Sequence, residues 1–248
     1  MAEKKTKEKK HYPWNDSIRT VILAVLLAVT VRSFAYEPFN IPSGSMKSNL
    51  LIGDYLFVSK FSYGYSRYSF PFGLPFFSGR IMGEEPKRGD VVVFRFPPNP
   101  RIDYIKRVIG LPGDHVQVKE GIVYINGKEI PRHYIDDFAD KENNIVKSIP
   151  RYIETLPEGK VITILKEKEG QYVANNTPEY VVPEGKYFMM GDNRDNSLDS
   201  RFDVGFVPAE NLVGRAEIIW FSTDGSASLN PVSWLSALRP DRFFKLVK

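Results

Sequence analysis

The chain has 248 residues, 42% of them apolar and 26% charged, enough for one large or two modest folded units with a true core. It contains no Cys, which excludes disulfides, thiolate metal sites, iron–sulfur clusters and cysteine nucleophiles, so any nucleophile carries oxygen or nitrogen. The three His (His11, His115 and His133) are too few for a tris-His metal centre with a separate general base, and there is no His-Glu-x-x-His run. Neither a metal nor a cofactor is expected.

The net charge of +4 is mostly local. Five Lys against two Glu in residues 1–10 leave +3 there and about +1 for everything after. A nearly neutral body with 3 Trp, 13 Tyr and 17 Phe lacks the basic face of a nucleic-acid binder, so nucleic acid is not an expected partner.

The basic tail, residues 1–16, leads into a dense apolar run at 20–31. Twelve helical residues rise about 18 Å, short of a hydrocarbon core of about 30 Å. Arg19 and Arg32 extend the usable length to a span over 17–36, because long Arg stems reach opposite interfaces, and Pro38 then stops the helix. Lys before the segment and few charges after it predict a single pass. The tail lies in the cytoplasm and everything from about Glu37 lies on the outer side of a cytoplasmic membrane. Ser33-Phe34-Ala35 has the small-x-small pattern of a cleavable signal peptide, the rival reading; either way the body is exported.

Beyond residue 50 the sequence reads as short apolar or β-branched runs broken by turns: 55–58, 90–96, 104–109, 116–118, 122–125, 180–182, 187–190 and 216–221. Asn126-Gly127 is the strongest hairpin signal. Outside the anchor only 233–238 carries a helical period, so the expected fold is mainly β: an antiparallel-sheet body behind one N-terminal transmembrane helix. The boundaries read as a first core part at 37–115, an inserted β-rich, cap-like region at 116–182, and a second core part at 183–248 with a basic and aromatic tail. Residues 61–77 hold eight aromatics broken by Gly and Pro. They form either a satellite core under a sheet edge or a surface that dips into lipid headgroups, a lipid contact also expected of Trp234, Phe243 and Phe244. Residues 128–180, with Asp136, Asp137, Asp140 and Glu142, read as a solvated insertion.

Three polar islands sit among turn formers: 39–46 with Ser43-Gly44-Ser45, 104–114 with Lys106-Arg107, and 191–201 with Gly191, Ser197, Asp199 and Arg201. Ser-Gly-Ser alone is an ordinary loop, and neither Gly-x-Ser-x-Gly nor Ser-x-x-Lys occurs. A His-based triad fails on supply, which leaves a lysine to activate a serine. An amine serves as base only if its pKa falls from about 10.4 toward working pH, in an apolar pocket without a carboxylate contact. Lys106 sits in an apolar strand whose alternation puts Tyr104, Lys106 and Val108 on one face; a lysine reaching out from an edge strand is the plain alternative. The third island is no EF-hand, lacking Gly at position six and Glu at twelve, and an Asp199–Arg201 pair bracing the loop suits it better.

Taken together the islands, with Gly53-Asp54, residues 88–94 (RGDVVVF) and residues 205–208 (GFVP), resemble bacterial signal peptidase I in composition and order, over residues 37–215. That resemblance implies a membrane-bound serine endopeptidase that removes signal peptides from exported preproteins after an Ala-x-Ala-like site. Ser45 is then the nucleophile and Lys106 the general base. Ser43 and the Ser45 N–H form the oxyanion hole, Ser197 orients the amine, and Asp199 and Arg201 support it. Phe39, Ile41, Leu50, Tyr104 and Ile105 match the small substrate pockets. Residues 47–49 (KSN) depart from the family's usual Pro-Thr at that turn. Secretory preproteins and membrane lipid are the implied partners, and a monomer is expected. A self-cleaving Ser/Lys repressor-type protease and a membrane-tethered scaffold are the rivals.

Overall fold

The structure, a computed structural model, describes residues 14–70, 79–142, 145–167, 173–226 and 235–248. The basic tail with His11, the second half of the aromatic stretch and Trp234 lie outside the described residues.

Helix α1 (Trp14–Phe34) has 21 residues, about 31 Å at 1.5 Å per residue, which matches the hydrocarbon thickness. Residues Asp16–Phe34 have a mean hydropathy of 1.8 and are long and apolar enough to cross a membrane. The Thr20 and Thr30 hydroxyls donate to the Asp16 and Leu26 carbonyls at 2.8 Å, which satisfies them inside the helix. Its apolar side chains are exposed all round, Val21 at 61% and Leu27 at 66%, so the described body does not cover them. The helix ends four residues before Pro38, which instead sits on an edge strand, where its missing N–H costs no ladder bond. Arg32 does not simply reach outward. It donates to Glu37 at 2.9 and 2.7 Å, and Lys60 approaches the same carboxylate at 2.7 Å.

Among the described residues eleven strands have four or more residues: β1 (Tyr36–Asn40), β2 (Asp54–Ser59), β3 (Val91–Arg95), β4 (Asp103–Gly110), β5 (His115–Lys119), β6 (Ile122–Ile125), β7 (Arg132–Glu142), β8 (Ile145–Thr155), β9 (Val161–Leu165), β10 (Lys186–Met190) and β11 (Leu212–Ser222). The main sheet runs β1–β2–β11–β3–β4–β10 with every pair antiparallel. A second sheet holds β5 and β6, flanked by Tyr180–Val181 and Lys128–Glu129, and a third is β7–β8–β9. Asn126 (φ 52°) and Gly127 (φ 75°) both take left-handed backbone, as a tight hairpin turn demands.

Every sequence-predicted run coincides with a strand to within a residue or two at its ends, save that 216–221 lies inside the longer β11; β1, the third sheet and several two-residue pairs are additional. The third sheet is hard to read because β7 and β8 carry Asp136, Asp137, Asp140 and Lys147, residues poor in β propensity, so neither alternates cleanly. Residues 235–237 are helical, within the run where a helical period was expected.

Three apolar clusters fill the body. One gathers Ile41, Met46, Leu50, Leu56, Val58, Val91 and Val93; another Val92, Phe94, Val108, Tyr187 and Met189; the third joins β4, β5, β6 and β9. Tyr63 and Tyr68 of the aromatic stretch are buried, so the described part of it mostly serves as satellite core and only Phe61 is exposed. The outward side of β2 and β11 instead carries an aromatic ladder. Tyr36 meets Phe57 edge-on at 6.3 Å, Phe57 stacks on Trp220 at 5.5 Å, and Tyr55, Phe221 and Phe243 continue it.

The C-terminal segment is part of this fold. Arg242 forks onto the fully buried Asp54 at 2.9 and 2.5 Å and also donates to the Asn49 carbonyl at 2.9 Å. Breaking a buried pair strands the remaining charge. Arg242→Met is expected to cost about 3 kcal/mol of stability, read as a lower denaturation midpoint; an unchanged midpoint would refute the buried contact.

Candidate active site

Ser45 lies on a single helical turn, Gly44–Met46, between β1 and β2. The loop is closed by backbone bonds between Ile41 and Asp54 (2.8 Å) and between Gly53 and Ile41 (2.9 Å). Met46 and Leu50, both fully buried, anchor its apolar side in the first cluster. Sinking Met46 fixes the orientation of its neighbour, and Ser45 remains 7% exposed. No hydrogen bond of the Ser45 N–H is seen among the described residues, so this donor is unspent. The Ser43 and Ser45 hydroxyls lie 3.4 Å apart.

Lys106 comes from the middle of β4, where Val92 pairs with it from β3. Tyr104 and Val108 pack into one cluster, and the Lys106 amine sits 5.4 Å from the centre of the Tyr104 ring, which is the shared face that alternation predicts. Lys106 is 4% exposed, with its Nζ 2.6 Å from Ser45 Oγ and donating to the Ile105 carbonyl at 3.0 Å. Burial lowers its pKa from 10.5 to about 8, although the negative charges of Asp199 and Asp192 pull the other way.

Those two carboxylates are otherwise engaged. Asp192 accepts from Arg107 at 2.7 and 2.6 Å in a pair with essentially no solvent contact. Asp199 accepts from Arg201 at 2.9 and 2.8 Å and from the Gly191 N–H at 3.0 Å. Burial pushes the Asp199 carboxyl up, but Arg201 and these hydrogen bonds outweigh it and hold it below the usual carboxylate range. Arg201 also donates to the Arg194 carbonyl at 2.6 Å, bracing the loop.

The 191–194 loop clasps the serine loop. The Asn193 N–H donates to the Ser45 carbonyl at 3.0 Å and its side-chain amide to the Gly44 carbonyl at 3.1 Å. A methyl at Gly191 would collide with both Ser197 Oγ and the Ser45 carbonyl, so only Gly allows this approach. The expected bond from Ser197 to the Lys106 amine is not formed. Ser197 Oγ is buried beside Gly191, where its hydroxyl helps to hold the Asp199 carboxylate ionised.

Of the residues matched to substrate pockets, Ile41 and Leu50 are fully buried and form the floor under the serine loop. Phe39 and Ile105 pack half-exposed against the same cluster. Tyr104 belongs to a different cluster and stacks on Phe96 at 4.7 Å. Sequence reading missed Asn193 and the Arg107–Asp192 pair as parts of the site; the one local signal was a Gly-Asp-Asn-Arg turn directly after an apolar strand. His115 lies beside Glu179 at 3.4 Å on β5, and His133 is exposed on β7.

A serine hydroxyl held against a buried amine, on an antiparallel β body with an apolar helix in front, is the equipment of a serine hydrolase that works at a membrane. The chain belongs to the signal peptidase family, peptidase S26, whose model matches residues 14–221. It is 40% identical over 246 residues to signal peptidase I of Rickettsia massiliae, covering 90% of each chain. To that of Rickettsia conorii it is 42% identical over 238 residues, covering 89% of this chain and 88% of the relative. A signal peptidase I crystal structure from Enterococcus faecalis is 29% identical, covers 53% of this chain and 97% of that one, and has a TM-score of 0.33. The protein is accordingly a membrane-associated hydrolase that removes signal peptides from preproteins as a serine protease.

The electrostatics predict where the Lys106 amine titrates. Its Cε and Hε resonances in labelled protein are expected to report a pKa near 8. Asp199→Asn removes a charge that favours the ammonium and moves the titration lower still. A midpoint near 10.5 in the wild type would contradict the buried geometry.

Proposed function

We propose that the chain cleaves exported preproteins after a small-x-small site by a Ser45/Lys106 dyad, and the 2.6 Å approach of the Lys106 amine to Ser45 Oγ carries this reading. Neutral Lys106 accepts the Ser45 proton as Oγ bonds to the scissile carbonyl carbon. The negative oxygen of the tetrahedral intermediate is stabilised by the free Ser45 N–H and the Ser43 hydroxyl, donors typically worth about 2.7–4 kcal/mol each. Lys106 passes its proton to the leaving amine as the C–N bond breaks. It then takes a proton from water, which attacks the acyl-enzyme, and returns it to Ser45 Oγ as the ester bond breaks. Asp199, Arg201 and Asn193 hold the geometry, and Ser197, buried beside Gly191, is the hydroxyl that orients the amine. Phe39 and Ile105, over the floor of Ile41 and Leu50, suit small side chains.

Only the neutral amine is a base, so kcat/KM is expected to rise tenfold per pH unit below a midpoint near 8 and level off above it. Ser45→Ala and Lys106→Met are expected to abolish processing of a precursor bearing Ala-x-Ala, with the wild-type product starting immediately after that site. Equal cleavage by all three proteins would sink the dyad and favour the scaffold reading.

We also read α1 as a single-pass anchor with the tail in the cytoplasm and the body outside, and the aromatic ladder as the part of the body that meets lipid headgroups. Exposed Tyr36 and Phe61 lie just past the anchor, and Tyr and Trp suit that interface. With Trp14 and Trp234 replaced by Phe in the full chain in lipid bilayers, Trp220 fluorescence is expected to be quenched by spin labels near the headgroup and spared by labels at the bilayer centre. No quenching at either depth would remove the lipid contact.

A further inference from the structure

Two residues past Ser45, Lys47 turns away from solvent and is 6% exposed. Its ammonium lies 2.8 Å from both carboxylate oxygens of Asp140, 93 residues further on in β7. The stem runs back along Gly44, so close that a methyl there would come within 2.9 Å of Lys47 Cε and 3.2 Å of Cδ. Asn49 makes a second tie to the same sheet, donating to the Thr163 carbonyl of β9 at 2.8 Å and to Asp192 at 2.7 Å. Asn193 holds the Gly44 and Ser45 carbonyls from the opposite strand system. The serine loop is therefore gripped from two directions, by the 191–194 turn and by the β7–β9 sheet.

We propose that Lys47 and Asp140 are positioning residues: their largely buried ion pair clamps the serine loop to the β7–β9 sheet and sets the Ser45 hydroxyl and N–H at catalytic registration. Gly44 has no side chain with which to fix itself, and the Lys47 stem supplies the missing wall. The pair is mostly shielded from water, its side chains 7% and 14% exposed, so its direction and length are held more tightly than those of a surface pair. Displacement of a reacting group by about 1 Å can cost about a hundredfold in rate, so a clamp two residues from the nucleophile acts on kcat. This inference rests on Ser45 being the nucleophile.

The test uses the full chain in detergent with an Ala-x-Ala precursor, measuring kcat, KM and thermal midpoint. Lys47→Met and Asp140→Asn are each expected to lower kcat by roughly ten- to a hundredfold while KM stays within about twofold. The pH midpoint set by Lys106 is expected to stay put, because the clamp acts on geometry and not on the base. The double variant is expected to be no slower than Lys47→Met alone, since the two share one interaction. Asp140→Glu keeps the charge but moves the carboxylate by one methylene; it is expected to lose kcat with little change in midpoint, which separates positioning from folding. A kcat equal to wild type in folded Lys47→Met, with Ser45→Ala inactive, would overturn the clamp alone. Cleavage by Ser45→Ala would overturn the reading beneath it.

Discussion

The site depends on burying one amine without giving it a carboxylate to pair with. Desolvation alone depresses a lysine, but two aspartates stand close enough to pull Lys106 back toward the charged form. Each is given its own arginine, Asp192 to Arg107 and Asp199 to Arg201, so neither carboxylate needs the amine as a hydrogen-bond partner. The order along the chain makes this economical. Arg107 follows Lys106 on the same strand and points to the other face, so one strand delivers both the buried amine and the cation that neutralises a competing anion. Buried pairs of this kind gain little net stability, because desolvation offsets most of the attraction. Their physical consequence here is electrostatic: removing either arginine would leave a bare carboxylate acting on the amine.

An antiparallel sheet is well matched to that arrangement. β4 lies inside the sheet, and Lys106 pairs with Val92 of β3 on one side while on the other the β10 ladder ends at its neighbour Arg107. β10 ends beside it and continues directly into the 191–194 turn, which reaches back to the serine loop. Three segments distant in sequence thus converge because each flanks a strand of one sheet, and the 191–194 turn continues into β9 through paired backbone bonds between Leu165 and residues 192 and 194. The buried Arg194–Glu154 pair, at 2.7 and 2.5 Å, adds a side-chain tie to β8. The third sheet is for this reason tied directly to the 191–194 turn that holds the serine loop.

The same geometry explains what could be read from the sequence. The Lys106 strand and the Asp199–Arg201 pair were legible from local pattern, an apolar alternating run and a two-residue spacing, whereas Ser45 stood out only through the family resemblance, because Ser-Gly-Ser alone is an ordinary loop. The other strands of the main sheet were legible as apolar runs between turn formers; β1, with Glu37 and Pro38 in its five residues, was not. β7 and β8 were not, because a ribbon with much of its surface in solvent has no buried face to impose a period of two. β9 has the run Val-Ile-Thr-Ile-Leu and reads as a strand alone, but its charged surroundings mask it. Contacts such as Lys47–Asp140 and Asn49–Thr163 span 93 and 114 residues, and no local pattern announces them.

The junction of anchor and body obeys the logic of the site. Glu37 accepts from Arg32 at the end of α1 and from Lys60 at the end of β2, and Lys60 also donates to the Ser69 carbonyl at 2.6 Å. Burial lowers the Lys60 pKa, yet here the carboxylate partner is present, the opposite arrangement to Lys106. One buried lysine is bound as a structural cation and the other is left free to exchange a proton. The Glu37 latch joins the helix to β1 with a single residue between them, and Phe34 packs edge-on against Tyr65 and Phe70. A short, charged and packed joint leaves the sheet little freedom to swing on its helix. On the proposed reading, a rigid joint fixes the height of Ser45 above the bilayer, and a substrate whose own apolar segment is held in that bilayer would present its cut site at one depth.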